Sequence, residues 1–319
     1  MNKKKTFLIT GVAGFIGFNF SNLLLEKGHK VIGIDNLDDY YSVNLKKRRL
    51  KRLKKKKNFK FFLKNIENNE TFNLIKKIKI DYVFHFAAQA GVRYSVINPD
   101  KYIKTNILGT INVFNFSKLI RPKLTFFASS SSVYGDSKKF PLKESDKLNP
   151  KNIYATSKIM NEIAAKSYSK NFNLRIYGLR FFTIYGEWGR PDMLLFKIIK
   201  NSLRKTPLEL NNKGNHYRDF TYINDVIKIL YLMSETRINK KFDIFNISSN
   251  NPQYIKKVIK FYKDKIASIK IKDIPKNNLD VFKTHGSNKK IINLTKFKNF
   301  TKFNDGFKNT CNWYFKNLN

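Results

Sequence analysis

The stretch "TFLITGVAGFIGFNF", residues 6–20, decides the fold. A short apolar run of strand character, "TFLIT", meets a glycine-punctuated turn and passes directly into an apolar pattern of helical period. The glycines stand at Gly11, Gly14 and Gly17. In a strand–turn–helix unit the first lets the chain turn tightly. The second lets backbone approach a pyrophosphate, which sits at the positive end of the helix, and the third lets the helix pack on the sheet. A glycine triplet alone also fits a merely tight turn. Here a second strand, "KVIGID", ends on Asp35, close to the roughly 20-residue offset at which an acid meets an adenosine ribose. That carboxylate would accept ribose hydroxyls and repel a 2′-phosphate, so the pair of signals points to NAD rather than NADP.

Outward from this unit, strand-like and helix-like segments alternate. "NFKFFL", "DYVFHFA", "KLTFFAS" and "RIYGLRFFT" read as strands. Helical patterns stand at 71–79, at 100–120 and after Pro150. Alternation of this kind predicts an α/β fold, a Rossmann-type doubly wound parallel sheet with helices on both faces. The pattern loosens after about Tyr185, where helical pieces mix with short strands such as "KFDIFNIS". The reading places an NAD-binding core in 1–180. It places a smaller C-terminal α/β substrate-binding lobe mainly in 181–319, with some segments returning to the core.

Composition excludes several classes. No apolar run is long enough to cross a bilayer, so no membrane insertion is expected. The single Cys311 excludes an intramolecular disulfide framework and fits a reducing compartment, and a cytoplasmic location is expected. The formal charge is +40 from 63 basic and 23 acidic residues. A nucleic-acid binder would show such a balance, but here lysines are scattered over nearly every segment, and Lys, Asn, Ile and Phe are all heavily used. Compositional drift accounts for this, and no specific nucleic-acid partner is expected. The one cluster, "LKKRRLKRLKKKKNFK" at 45–60, reads as a helix with Leu45, Leu50 and Leu53 inward and a solvated basic face outward.

Two further motifs carry chemistry. In "YATSK", Tyr154 and Lys158 are four apart and share a helix face. A cation beside the phenol is expected to lower its pKa and prepare it as a general base. The second motif is "ASSSSVYGD", residues 128–136, which ends a strand some 24 residues earlier.

With these motifs in view, the chain resembles the extended short-chain dehydrogenase/reductases, and within them the UDP-glucuronate 4-epimerases. The matching segments are "ITGVAGFIG", "IDNLDDYYSVNLKKRRL", "HFAAQAGVRYS", "ASSSSVYGD", "YATSK", "LRFFTIYGEWGRPDMLLFK" and "RDFTYINDV", with "NWYFK" near the end. The resemblance implies that Tyr154 takes the proton from the sugar 4-hydroxyl while a hydride passes from C4 to a tightly bound, regenerated NAD. Lys158 would hold the nicotinamide ribose, and Ser130 would hydrogen-bond the 4-oxygen, with Ser132 as second choice. The resemblance further places Gly11, Gly14, Phe15, Ile16, Gly17, Asp35, Asn36, Ala87, Ala88, Gln89, Asn106 and Phe182 around NAD. Arg93 and Ser95 would face the sugar or its phosphates, and Thr183 and Arg190 the sugar carboxylate. Arg218 would meet the diphosphate and Asp280 the uridine ribose. A homodimer joined by a four-helix bundle is implied too.

The chain departs from the family pattern in two places. Asn65 stands where the family has an adenine-binding Asp, and the family's pattern around 277–290 is largely lost. Sister enzymes that eliminate water or CO2 carry an acid before Val-Tyr-Gly, where this chain has Ser131 and Ser132. A 4-epimerase of UDP-glucose or of UDP-N-acetylhexosamine remains an alternative, as does a non-catalytic NAD- or RNA-binding relative.

Overall fold

The structure is a computed structural model and describes residues 3–318. Strands β1 (Thr6–Thr10), β2 (Lys30–Asp35), β3 (Phe59–Leu63), β4 (Tyr82–His85), β5 (Leu124–Ser130) and β6 (Ile176–Phe181) alternate with helical segments. The principal helices among them are α1 (Phe15–Glu26), α2 (Val43–Lys54), α3 (Tyr94–Ile97), α4 (Pro99–Tyr102), α5 (Gly109–Ile120) and α6 (Ile153–Phe172). Beyond them come β7 (Thr183–Tyr185), β8 (Leu208–Asn211), β9 (Tyr217–Tyr222), β10 (Phe242–Ile247), β11 (Pro252–Tyr254) and β12 (Ile271–Ile274).

Seven strands form one parallel sheet in the order β10-β6-β5-β4-β1-β2-β3. All residues of β4 and β6 are buried, as a sheet covered on both faces requires. Alternation within β1 feeds both layers: Phe7 and Ile9 pack into one cluster, Leu8 into the other. The chain runs outward from β1 in both directions, to β2 and β3 on one side and to β4, β5 and β6 on the other. That reversal leaves a crevice at the C-terminal ends of β1 and β4, where ligands bind in open α/β sheets. Strand β10 joins the main sheet beside β6. The other late strands form small sheets over the crevice, β11-β9-β7 and β12-β8.

Three expectations change. Residues 71–79 do not form an α-helix; a 3-10 turn at Asn69–Leu74 replaces it. It is pinned by the Asn68 side chain accepting from Glu70 N and by Thr71 Oγ1 donating to Asn65 O at 2.5 Å. The helix read over 100–120 is interrupted by a π-helical stretch at Ile103–Leu108, centred on buried Asn106. Helix α2 does bury Leu45, Leu50 and Leu53, but its basic side is not wholly solvated: Arg49 is 0 % exposed and Lys46 6 %.

Beneath the serine-rich turn lies a buried ion pair. Arg180 on β6 forks onto Glu162 of α6, with Nε–Oε1 at 2.9 Å and Nη2–Oε2 at 2.7 Å. Ser129 donates to the same Oε1 at 2.6 Å, so its hydroxyl is structural. The remaining nitrogen, Nη1, donates to Tyr134 Oη and Glu144 O. Removing one partner leaves the other charge buried and unpaired. Replacing Arg180→Met should therefore lower unfolding free energy by about 3 kcal/mol or more in urea titrations; a loss under about 1 kcal/mol would contradict this account.

Candidate active site

The crevice opens into a cleft of about 980 Å³. Its floor is the β1–α1 turn. Gly11 has φ +71°, and a Cβ there would lie 2.6 Å from Ala87 N. A Cβ on Gly17 would lie 2.2 Å from Gly11 O. No side chain caps α1, whose N-cap is Gly14. Its first N–H groups are thus free for an anion, as a dinucleotide pyrophosphate requires. Asp35 ends β2 beside the turn, accepting Ala13 N at 2.9 Å and Leu37 N at 2.8 Å. Burial pushes its carboxyl up, and those two bonds with Lys46 and Arg49 pull it back. Each oxygen keeps a lone pair for ribose hydroxyls. Phe15, Ile16, Asn36, Ala87, Ala88 and Gln89 line the same end, so the residues present fit NAD.

The candidate catalytic groups come from β5 and α6. Asn152 caps α6 by accepting Ala155 N at 2.9 Å, which fixes Tyr154 in the first turn and Lys158 one turn on. Lys158 Nζ donates to Ala128 O at 2.9 Å and lies 5.8 Å from the Tyr154 ring centroid. Burial brings the Lys158 ammonium down to about 8. The phenol does not behave as the Tyr–Lys spacing suggests: burial raises Tyr154, and the groups that pull it back are Ser130 and Arg190. Lys158 is turned to the Ala128 carbonyl instead. The Ser130 hydroxyl caps the following 3-10 turn, accepting Ser132 N and donating to Ser132 Oγ, both at 3.1 Å. Ser130, Ser131 and Ser132 all line the cleft, and no carboxylate comes from this turn.

Two sequence assignments do not reach the cleft. Ser95 is fully buried and donates to Val92 O at 2.7 Å. Asn106 is fully buried too: it accepts Gln89 N at 2.8 Å and donates to Gln89 O and Ser157 Oγ. It holds the Gln89 backbone within the 87–93 loop. Behind it, the sequence reading missed His85, held between Thr10 Oγ1 at 2.7 Å and Thr110 Oγ1 at 2.9 Å. Burial drives this imidazole down to about 3, so it is neutral. Thr110 in turn donates to Asn106 O at 2.5 Å, the carbonyl freed within the π-helical stretch.

At the other end, Phe182, Thr183, Arg190, Arg218, Arg93 and Asp280 all line the cleft. Several are already paired. Arg190 Nε and Nη2 fork onto Asp192 at 3.0 and 2.5 Å, and Tyr40 Oη stands 3.5 Å from the same carboxylate. Burial alone would raise Asp192, but Arg190 outweighs it and holds the carboxyl below its usual range. Asp192 went unread in the sequence, although it lies two residues from Arg190 in "GRPDM". Arg93 meets Asp280 at 2.7 Å across the cleft, and Asn211 donates to the same oxygen at 3.0 Å. Arg218 Nη1 donates to the carbonyls of Tyr217 and Phe282.

This geometry has close counterparts. A UDP-glucuronic acid 4-epimerase from Bacillus cereus, in complex with UDP-glucuronic acid and NAD, superposes with a TM-score of 0.92 over 98 % of this chain and 99 % of that one, at 29 % identity. A UDP-glucose 4-epimerase from Thermotoga maritima, with UDP-glucose, matches at a TM-score of 0.89 and 27 % identity over 98 % and 100 % of the two chains. In sequence, a UDP-glucuronate 4-epimerase of Thermodesulfobacterium geofontis is 36 % identical over 98 % of this chain and 97 % of its own length. A family model covers residues 7–248, from β1 past β10, and so takes in the glycine turn, the serine turn, Tyr154 and Lys158 together. The chain belongs to the NAD dependent epimerase/dehydratase family.

Proposed function

We propose that this chain inverts C4 of a UDP-sugar with bound NAD, converting UDP-glucuronate to UDP-galacturonate. The observation that carries this is the convergence of Ser130, Tyr154 and Lys158 beside the dinucleotide turn, on a serine turn without an acid. When bound, NAD supplies the hydride acceptor and returns the hydride. Tyr154 takes the proton of the 4-hydroxyl and restores one to the new 4-hydroxyl. Ser130 holds the 4-oxygen and, with Arg190, favours the phenolate, while Lys158 would hold the nicotinamide ribose. With Ser131 and Ser132 in place of acids, nothing protonates a leaving hydroxyl, so hydride return is the open exit. The relatives act on, or are bound to, UDP-glucuronate and UDP-glucose, which supports a UDP-sugar here.

The uronate reading assigns Thr183 and Arg190 to the sugar carboxylate. One observation favours the neutral-hexose alternative: the Arg190 fork already holds Asp192. The two readings separate on one variant. Arg190→Met should raise KM for UDP-glucuronate about tenfold to hundredfold while changing KM for UDP-glucose far less. Equal effects on both sugars would favour the neutral substrate. Tyr154→Phe should reduce kcat on the order of 100- to 10,000-fold with NAD still bound, and retained turnover would refute its role as base.

A homodimer is supported by apolar side chains left on one surface. Leu119 and Ile163 are each 65 % exposed, and Met160 and Ile153 follow on the same face of α6 at helical spacing. Sedimentation should report a dimer that Ile163→Glu dissociates; an unchanged sedimentation coefficient would place the interface elsewhere.

A further inference from the structure

Arg49 is fully buried and no carboxylate among the described residues lies within ion-pair distance of it. Its acceptors are all neutral and come from three loops. Nη1 donates to Ala13 O of the β1–α1 turn and to Tyr41 Oη of the loop after β2, each at 2.8 Å. Nη2 donates to Trp188 O and, at 3.1 Å, to Gly189 O, the two residues preceding Arg190. Nε has no partner at all. One guanidinium therefore clamps the cofactor turn to the loop that carries the sugar-side arginine.

Two physical facts make this clamp more than static packing. Trp188 has φ +60°, a left-handed backbone that an aromatic residue adopts only when its surroundings impose it. The Arg49 bond to its carbonyl is one such constraint on the backbone that leads into Arg190. Secondly, a buried guanidinium whose hydrogen-bond acceptors are all neutral, and which has only the nearby Asp35 carboxylate to act on it, gains from further negative charge. The anion site at the N-terminus of α1 adjoins Ala13, whose carbonyl Arg49 holds.

We propose that Arg49 is a positioning residue that couples filling of the dinucleotide turn to placement of the 186–193 loop. This rests on the reading that the turn takes NAD and the loop faces the sugar. Filling the turn with a diphosphate stabilises the charged, clamped guanidinium, and the clamp in turn holds Arg190 at the substrate. The direction of the effect is that NAD-loaded protein presents a better ordered sugar site than NAD-free protein.

Hydrogen exchange of peptides spanning 186–193, with and without saturating NAD, tests this without any sugar. In the wild type NAD should slow exchange there about tenfold. Arg49→Met should bind NAD yet reduce that slowing to less than about twofold, and Arg49→Lys, which reaches one loop but not both, should fall between. Full NAD-dependent protection in either variant, or none in the wild type, overturns the proposal. Should Arg49→Met fail to fold, the Arg49→Lys and wild-type arms still decide. In turnover, Arg49→Lys should raise KM for UDP-glucuronate about tenfold with kcat little changed. If the wild type converts no UDP-glucuronate, the substrate assignment fails while the exchange result stands by itself.

Discussion

Everything in the cleft depends on how little room the β1–α1 turn leaves. The Gly11 carbonyl sits where a Cβ on residue 17 would have to go, and Gly11 itself abuts the backbone that leaves β4. With both contacts made, helix α1 starts at one height above the sheet, and the 87–93 loop is held against the turn. Thr10 Oγ1 accepts Ala87 N at 3.3 Å, which tightens the same junction. Asp35 then completes the turn from the neighbouring strand through Ala13 N. A single methyl at residue 17 would move the helix dipole, the β4 loop and the Asp35 carboxylate at once.

How much of this was legible differs from element to element, for physical reasons. Strands β1, β4, β5 and β6 are buried on both faces, so they read as continuous apolar runs. The start of α6 was legible through Pro150 and the "NIYATSK" run, and Asn152 supplies the cap. Polar residues were harder, because their type does not reveal their partner. Ser95 and Asn106 have the chemistry of ligand contacts but satisfy backbone groups that the fold buries. The phenol of Tyr154 shows the limit of spacing arguments. Lys158 is on the correct face, yet its ammonium finds a carbonyl nearer than the phenol, and desolvation decides the sign.

Arg49 was hidden differently. It lies among basic neighbours in "LKKRRLKRL", and composition cannot distinguish it from Arg48 or Lys47. Its register can: Leu45, Arg49 and Leu53 are spaced by four and share one helix face. A cation inside an apolar stripe of helical period is buried against specific acceptors or is misplaced, and here it is buried. The basic cluster thus divides into solvated lysines and two residues, Lys46 and Arg49, that organise the loops beside the cofactor end.

The Arg190–Asp192 fork changes what recognition of an acidic sugar means. Asp192 already presents two carboxylate oxygens to Arg190, so the guanidinium is neutralised before any substrate arrives. A uronate reaching Arg190 enters an exchange reaction, one carboxylate displacing or sharing with another. The net preference is then the difference between two similar forks rather than the full strength of one. Such an arrangement balances the charge of Arg190 itself before a sugar enters. It also makes discrimination between acidic and neutral sugars a finely adjustable quantity, set by how far the Asp192 side chain can move aside.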